Sequence, residues 1–130
     1  MTVIPESHAD LLDRPLIAHL GTTRPDNSPQ VNPMWFGWDG ELIRFTNTTT
    51  RQKFRNVETN PNVSISIVDP DQPYRYLEVR GKVIRVEPDP QALFYQELAD
   101  RYGVTWKETP KDAPYRVVLV VEPTGSSKQG

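Results

Sequence analysis

The sequence predicts a mainly β (α+β) fold, a small barrel of six short antiparallel strands with two or three short helices. Thirteen prolines among 130 residues are about twice the usual frequency of ~5%, which leaves room only for few and short helices. Short runs in which apolar and polar residues alternate recur along the chain, as in half-buried strands. Closing such strands into a barrel removes their exposed edges.

The first predicted elements are a short helix and a hairpin. Ser7 can cap a helix that ends near Leu12, because the residue before Pro15 disfavours the helical region. Further along, Asp39-Gly40 separates two apolar, aromatic-rich runs. This dipeptide is favoured at the centre of a type I′ turn, so it predicts an antiparallel hairpin between the second and third strands.

The predicted strands follow the alternation and the turn residues between them. A bulge is expected near Gly81, because the alternation of the fifth strand breaks where Ile84 and Val86 follow Val83. The strands are placed at residues 16–21, 30–38, 41–45, 63–67, 77–86 and 115–121, with turns or loops at 24–29 and 69–73 and an irregular segment at 105–114.

Two further helices are predicted. Residues 48–50 are threonines that can cap a helix over 51–59, which stops before a proline. Later, Asp89, Pro90 and Gly103 occupy the positions preferred for the N-cap, the first turn and the residue just past the end. This last helix is expected to pack on the sheet as a lid, through the stripe Leu93, Phe94, Leu98 and Tyr102.

Length and composition predict a single domain over residues 1–130, in which 124–130 form a flexible tail, because no repeat or linker divides the chain. A net charge of −2 argues against a general nucleic-acid binder. No run of eighteen apolar residues and no basic leader is present, which predicts no membrane span. The absence of cysteine suits the reducing cytoplasm, so a cytoplasmic protein is expected.

The same inventory disfavours several chemistries. Without cysteine there is no disulfide, thiolate metal site or cysteine nucleophile. The two histidines, His8 and His19, lie far from any acidic cluster, so neither a zinc site nor a Ser/His/Asp triad is favoured. His19, within an apolar strand, is interpreted as a hydrogen-bonded core residue. No dedicated catalytic acid or base is predicted, which is typical of a protein that positions a redox cofactor.

The most informative segment is the start of the helix over 51–59. Arg51, Lys53 and Arg55 crowd its first turns, where the helix dipole disfavours cations. A phosphate or carboxylate on the free N–H groups would compensate, with the threonine hydroxyls donating. The alternative is a solvated basic face answered by Glu58.

A second candidate feature is the aromatic density of the second strand. Trp35, Phe36 and Trp38 follow the run Asn32-Pro33-Met34. Pro33 cannot donate a ladder hydrogen bond, so neighbouring backbone groups are available to a planar heterocycle. The alternative is a layer of core aromatics. A third cluster, Tyr74-Arg75-Tyr76, is either a site element or an ordinary strand edge.

Together, these segments resemble a known family. The pattern R-x-K-x-R-N-V-x-x-N-P from Arg51, followed by an alternating strand, Asp69 and the run YRYLEVRG from Tyr74, resembles the pyridoxamine 5′-phosphate oxidase-like split β-barrel superfamily. Within it, the branch that uses the deazaflavin coenzyme F420 is the most similar. The turn and strand 24–34 fit as well.

The resemblance implies a homodimer of six-stranded split barrels with a cofactor cleft at the dimer interface. Arg51 and Lys53 would hold the cofactor phosphate, and Tyr74 and Arg75 would reach in from the partner subunit. Arg55 and Arg75 would suit the extra carboxylates of the F420 tail. The cofactor-binding residues implied are Asn32, Pro33, Met34, Trp35, Thr46, Asn47, Thr48, Thr50, Arg51, Lys53, Arg55, Tyr74 and Arg75.

The activity implied by the resemblance is hydride transfer between F420 and a small unsaturated substrate. Two alternatives stay open. One is an FMN-dependent oxidoreductase of the same fold, since one phosphate site serves both cofactors. The other is a flavin- or deazaflavin-binding protein without turnover, which suits the lack of a catalytic acid–base pair.

Overall fold

The computed structural model describes residues 3–105 and 108–130. Of the irregular segment predicted at 105–114, residues 106 and 107 lie outside this description. The helices are α1 (Asp10–Asp13), α2 (Gln52–Thr59) and α3 (Leu93–Arg101), with 3₁₀ turns at Glu6–His8 and Ala113–Tyr115; the strands are β1 (Ala18–Thr23), β2 (Pro29–Met34), β3 (Gly37–Trp38), β4 (Ile43–Thr48), β5 (Asn62–Asp69), β6 (Gln72–Pro88) and β7 (Arg116–Gln129).

The strands form one antiparallel sheet in the order β2-β1-β5-β6-β7-β4-β3. The sheet curls around its apolar face into a split β-barrel, as predicted. Strand β6 has 17 residues and pairs with both β5 and β7, so it connects the two halves. The register against β7 shifts at Arg80/Gly81 and at Val83/Arg85, which confirms the bulge predicted near Gly81.

The core lies on the concave face of the sheet. Strand β5 alternates strictly, with Val63, Ile65 and Ile67 buried and the residues between them exposed. Phe36 and Phe45, both fully buried, are the largest core side chains. Burial of such apolar surface is the main stabilising contribution to folding.

The predicted second strand is divided in two, which raises the number of strands from six to seven. The chain leaves the sheet at Trp35 and Phe36, between β2 and β3. Here the Phe36 N–H donates to the Tyr102 hydroxyl (3.1 Å), and that hydroxyl donates to the Leu16 carbonyl (2.6 Å). The break is therefore fixed by the residue that follows α3.

The predicted type I′ turn is wrong. Such a turn needs positive φ at both central residues, and only Gly40 of the pair has it, at 93°. Four residues connect Trp38 to its partner Ile43. Instead, the Asp39 carboxylate accepts hydrogen bonds from the N–H groups of Glu41 and Leu42, at 2.9 and 2.7 Å.

The caps predicted for the first two α-helices are also wrong. Helix α1 has no side-chain cap, and the Ser7 hydroxyl bonds to His8 Nδ1 at 2.8 Å. Helix α2 has no side-chain cap, because Arg51, which has no acceptor, occupies the N-cap position. The Thr48 and Thr50 hydroxyls bond to each other at 3.0 Å. The first N–H groups of α2 thus lack the side-chain acceptor that usually satisfies them.

Helix α3 begins later than predicted. Asp89 does accept hydrogen bonds from the Leu93 and Phe94 N–H groups (2.9 and 3.1 Å), but Ala92 before the helix is left-handed, with φ 55°. Leu93 is consequently exposed and does not belong to the predicted apolar stripe, whereas Leu98 is buried. Gly103 ends the helix with φ 71°, as predicted.

The flexible tail predicted at 124–130 is wrong up to Gln129, because this segment is the end of β7 and pairs with β6 as far as Tyr76. Its hydrogen bonds also hold the N-terminal segment. His8 Nε2 bonds to the Gln129 carbonyl at 3.0 Å, and the Ser126 hydroxyl donates to the Val3 carbonyl. His8 is the buried histidine and His19 is exposed, which reverses the core assignment of His19.

Candidate functional site

A cleft of about 380 Å³ lies where the end of β2, the end of β4, the start of β7 and helices α2 and α3 meet. Its lining contains three cations and, among the residues the structure describes, no carboxylate. The lining residues are Pro33, Met34, Trp35, Thr46, Asn47, Thr48, Arg51, Lys53, Tyr95 and Arg116. Eight of these ten were candidates from the sequence. Tyr95 and Arg116 were not.

The α2 side of the cleft is formed by Thr48, Arg51 and Lys53. Within residues 3–105 and 108–130, no carboxylate forms an ion pair with Arg51 or Lys53. Burial, and then the nearby Arg51 charge, hold the pKa of Lys53 below its ordinary value. The side chain is thus a partly desolvated cation beside a second cation, an arrangement that a bound anion would relieve.

Another part of the cleft lining is aromatic. Trp35 is half-buried and stacks on Tyr102, with ring centroids 4.9 Å apart and planes 11° apart. The Tyr95 ring lies 6.4 Å from Trp35 at 39°. Phe36, next in the chain, points into the core. Within the aromatic run, Trp35 therefore belongs to the cleft, and Phe36 belongs to the core.

Asn47 contributes a buried amide whose hydrogen bonds are incomplete. Its side chain oxygen accepts from the Thr48 N–H at 2.9 Å, which fixes the orientation of the amide. Its Nδ2 is buried without a partner, one of two such side-chain atoms in the described residues, the other being Arg101 Nε. Since Asn47 is 4% exposed and water is largely excluded, an acceptor atom there would remove a desolvation penalty of about 1–3 kcal/mol.

Arg116 is held in the cleft by contacts from three sides. Its guanidinium forms two hydrogen bonds to Asp112, at 3.1 and 3.0 Å, and one to the Thr46 hydroxyl, at 3.2 Å. It also lies over the Tyr95 ring, 4.5 Å from the centroid. No local pattern could have identified it, because its place in the site depends on the pairing of β7 with β4 and on the position of α3.

Five sequence candidates do not line the cleft. Asn32 accepts from Gln30, Thr50 bonds to Thr48, and Arg55 and Tyr74 are exposed. Arg75 is bound within its own chain. Its guanidinium pairs with Asp10 (2.6 Å) and Asp69 (2.9 Å) and donates to the Ser7 carbonyl, which ties the N-terminal segment to the β5–β6 turn.

Comparison with known proteins identifies this architecture. The model of the pyridoxamine 5′-phosphate oxidase family matches residues 4–129. The chain belongs to the pyridoxamine 5′-phosphate oxidase family. No curated protein matches the chain significantly. The residues that the structure describes contain no helix that is long and apolar enough to cross a membrane.

Several solved structures share the family fold. One named F420 reductase is 57% identical, with a TM-score of 0.94, over 97% of this chain and 100% of that one. General Stress Protein 26 from Bacillus anthracis is 22% identical, with a TM-score of 0.72, over 95% and 91% of the two chains. Rv2991 from Mycobacterium tuberculosis is 21% identical, with a TM-score of 0.77, over 97% and 84%. The last two show the fold alone.

Proposed function

We propose that this family member is a coenzyme F420-dependent oxidoreductase, which transfers hydride between a deazaflavin in the cleft and a small unsaturated substrate. The observation that carries the proposal is the charge of the cleft, which has three cations and no carboxylate in its described lining. A cleft of this charge suits an anionic ligand, and its aromatic side suits a planar ring.

The phosphate of the ligand would bind on the α2 side. Arg51 and Lys53 provide charge-assisted donors, and the N–H groups at the start of α2 have no side-chain cap. The Asn47 amide provides an unpartnered donor in the wall of the same cleft. The residues present thus fit a phosphorylated cofactor with an acceptor-rich ring.

Two observations favour F420 over FMN. The structure named F420 reductase is 57% identical to this chain over almost its full length. Arg55 is exposed one helical turn beyond Arg51, where a cation can attract the additional carboxylates of the F420 tail. FMN shares the phosphate site, so it is the ligand against which the proposal is tested.

The cleft residues would bind and orient the cofactor, and the proton that completes reduction of the substrate after hydride transfer would come from water. Among the described residues, neither a carboxylate nor a histidine lines the cleft, so the proposal assigns proton transfer to no side chain. A bound deazaflavin has carbon where a flavin has N5 and therefore passes two electrons as a hydride. Positioning of the two reactants would then account for most of the catalysis.

The proposal includes a homodimer in the cytoplasm. Val31, on the edge strand β2, and Tyr74 are 64% and 62% exposed, and exposed apolar side chains at a sheet edge favour association. The β2 strand that carries Val31 continues to Pro33 and Met34 in the cleft. A second copy on this side would therefore lie near the cleft and could bring Tyr74 to it, while Arg75 stays in its ion cluster.

The proposal is tested by incubating the purified protein with F420 or FMN, removing free cofactor by gel filtration, and recording absorption spectra. We expect F420 to be retained, and the reduced cofactor to be re-oxidised when a conjugated enone is added. A protein that retains FMN alone supports the FMN-dependent alternative. Retention of F420 without turnover across an enone and quinone panel supports a binding protein.

A further inference from the structure

Arg116 is more rigidly held than a surface arginine. Asp112, Thr46 and Tyr95 each contact its guanidinium, and its side chain is 14% exposed. A guanidinium has five N–H donors, of which these hydrogen bonds use three. One hydrogen on Nη1 and one on Nη2 have no acceptor within residues 3–105 and 108–130.

The charge of Arg116 is only partly compensated inside the cleft. Asp112 does not line the cleft, and its side chain is 41% exposed, so water screens the carboxylate more strongly than the guanidinium. Thr46, on the cleft side, is neutral. The pair therefore presents its positive member to the cleft and its negative member to solvent.

This cation lies on the strand paired with β4, opposite Thr48, but its guanidinium contacts residues other than those of the proposed phosphate site. Arg51 and Lys53 belong to the α2 side, whereas Arg116 lies against Tyr95 on the aromatic side, where Trp35 is also found. A planar ligand on this side would have its ring, rather than its phosphate, near the guanidinium.

We propose that Arg116 is a second anchor of the cleft, which recognises an electron-rich, carbonyl-bearing edge of a planar heterocycle. This inference rests on the proposed function, because a flavin or deazaflavin ring has such an edge. Reduction of the ring places negative charge on that edge, so a fixed cation there binds the reduced form more tightly than the oxidised form. Asp112 is then a positioning residue that holds the guanidinium ready.

The experiment separates the ring from the phosphate. We would measure Kd for FMN, F420 and inorganic phosphate in the wild type and in Arg116→Met, Arg116→Lys, Lys53→Met and Asp112→Asn, with the exposed Arg85→Met as the matched control. Melting curves without ligand identify variants that do not fold. If Arg116→Met does not fold, Arg116→Lys replaces it, because lysine keeps the charge but lacks the planar set of donors of the guanidinium.

We expect Arg116→Met to weaken FMN and F420 binding roughly tenfold to a hundredfold, the loss of a charge-assisted hydrogen bond, and to leave phosphate binding unchanged. Lys53→Met should weaken all three ligands. Arg116→Met should also lower the midpoint potential of bound FMN, which a purely structural arginine would not change. Asp112→Asn should give a smaller loss in the same direction.

Two results would overturn the inference while the proposed function stands. One is wild-type cofactor binding that Arg116→Met leaves unchanged. The other is an equal loss for the cofactors and for inorganic phosphate, which would place Arg116 at the phosphate. If the wild type binds neither FMN nor F420, the proposed function fails, and the second anchor fails with it.

Discussion

Lys53 offers the sharpest test of the anion site, because its charge should oppose folding and favour binding. Replacing it with methionine keeps most of the aliphatic stem and removes the cation. A charge-assisted hydrogen bond to phosphate contributes about 1.5–3 kcal/mol, so Kd for F420 and FMN should rise roughly tenfold to a hundredfold. Lys53→Glu should abolish binding, because it adds repulsion.

The stability of the free protein should change in the opposite direction. The pKa of Lys53 is lower in the folded chain than its ordinary value, so the protonated side chain opposes folding. This cost shrinks as pH rises above the lowered pKa and disappears above the ordinary pKa. Lys53→Met should therefore leave stability unchanged or raise it. Lys53→Glu, near the start of α2, should gain about 0.3–1 kcal/mol from the helix dipole.

The assay pairs isothermal titration of each variant with melting curves of the free protein. Lys82→Met, which removes an exposed lysine of β6, is the control. A bound phosphate should raise the pKa of Lys53, so binding should take up protons, and affinity should fall as pH rises through the free-state pKa. Unchanged Kd in Lys53→Met, or a large loss of free-protein stability, would refute the assignment.

Three further outcomes are expected. Phe36→Ala should destabilise the protein by about 3–5 kcal/mol, as for other buried aromatics, whereas Trp35→Ala should cost less and weaken cofactor binding; chemical unfolding and titration would show the reverse if Trp35 were core. Asp39→Ala should lower the melting temperature above about pH 4. Hydrogen bonds from Leu42 and Arg44 lower the pKa of Asp39 to about 2, and the stabilisation they give is lost as pH falls through that value. The difference in melting temperature between the variant and the wild type should therefore shrink toward pH 2. Analytical ultracentrifugation should find a dimer at low micromolar concentration, and a stable folded monomer would remove the proposed homodimer.

Features set by local pattern could be predicted from the sequence. The alternation of Val63, Ile65 and Ile67 identified a half-buried strand, and the interruption near Gly81 identified the bulge. Only glycine fits at this bulge without a shift of its neighbours, because a Cβ at Gly81 would lie 2.7 Å from Val121 Cγ1 and 2.9 Å from the Glu122 carbonyl oxygen. Most of the residues that line the cleft could also be predicted, because the basic start of the helix and the aromatic strand are each a continuous run in the sequence.

The remaining features depend on contacts between distant segments. Arg116 joins the site because it pairs opposite Thr48 across β4 and β7. The strand break after Met34 depends on the Tyr102 hydroxyl, from the end of α3. His19 could have been assigned correctly, since Ala18 and Leu20 on either side face the core and alternation then directs His19 outward.

The hydrogen bonds between residues 126–129 and the N-terminal segment join positions more than a hundred residues apart in the chain, so a change at one end also affects the other. Deleting the last residues of β7 would remove the Gln129 carbonyl from His8 and leave a buried ring nitrogen without its hydrogen-bond partner. It would also remove the β-ladder partner of Tyr76, beside the ion cluster of Arg75. An affinity tag is therefore safer on a flexible spacer after Gly130 than in place of residues 126–130, and limited proteolysis should release both terminal segments together.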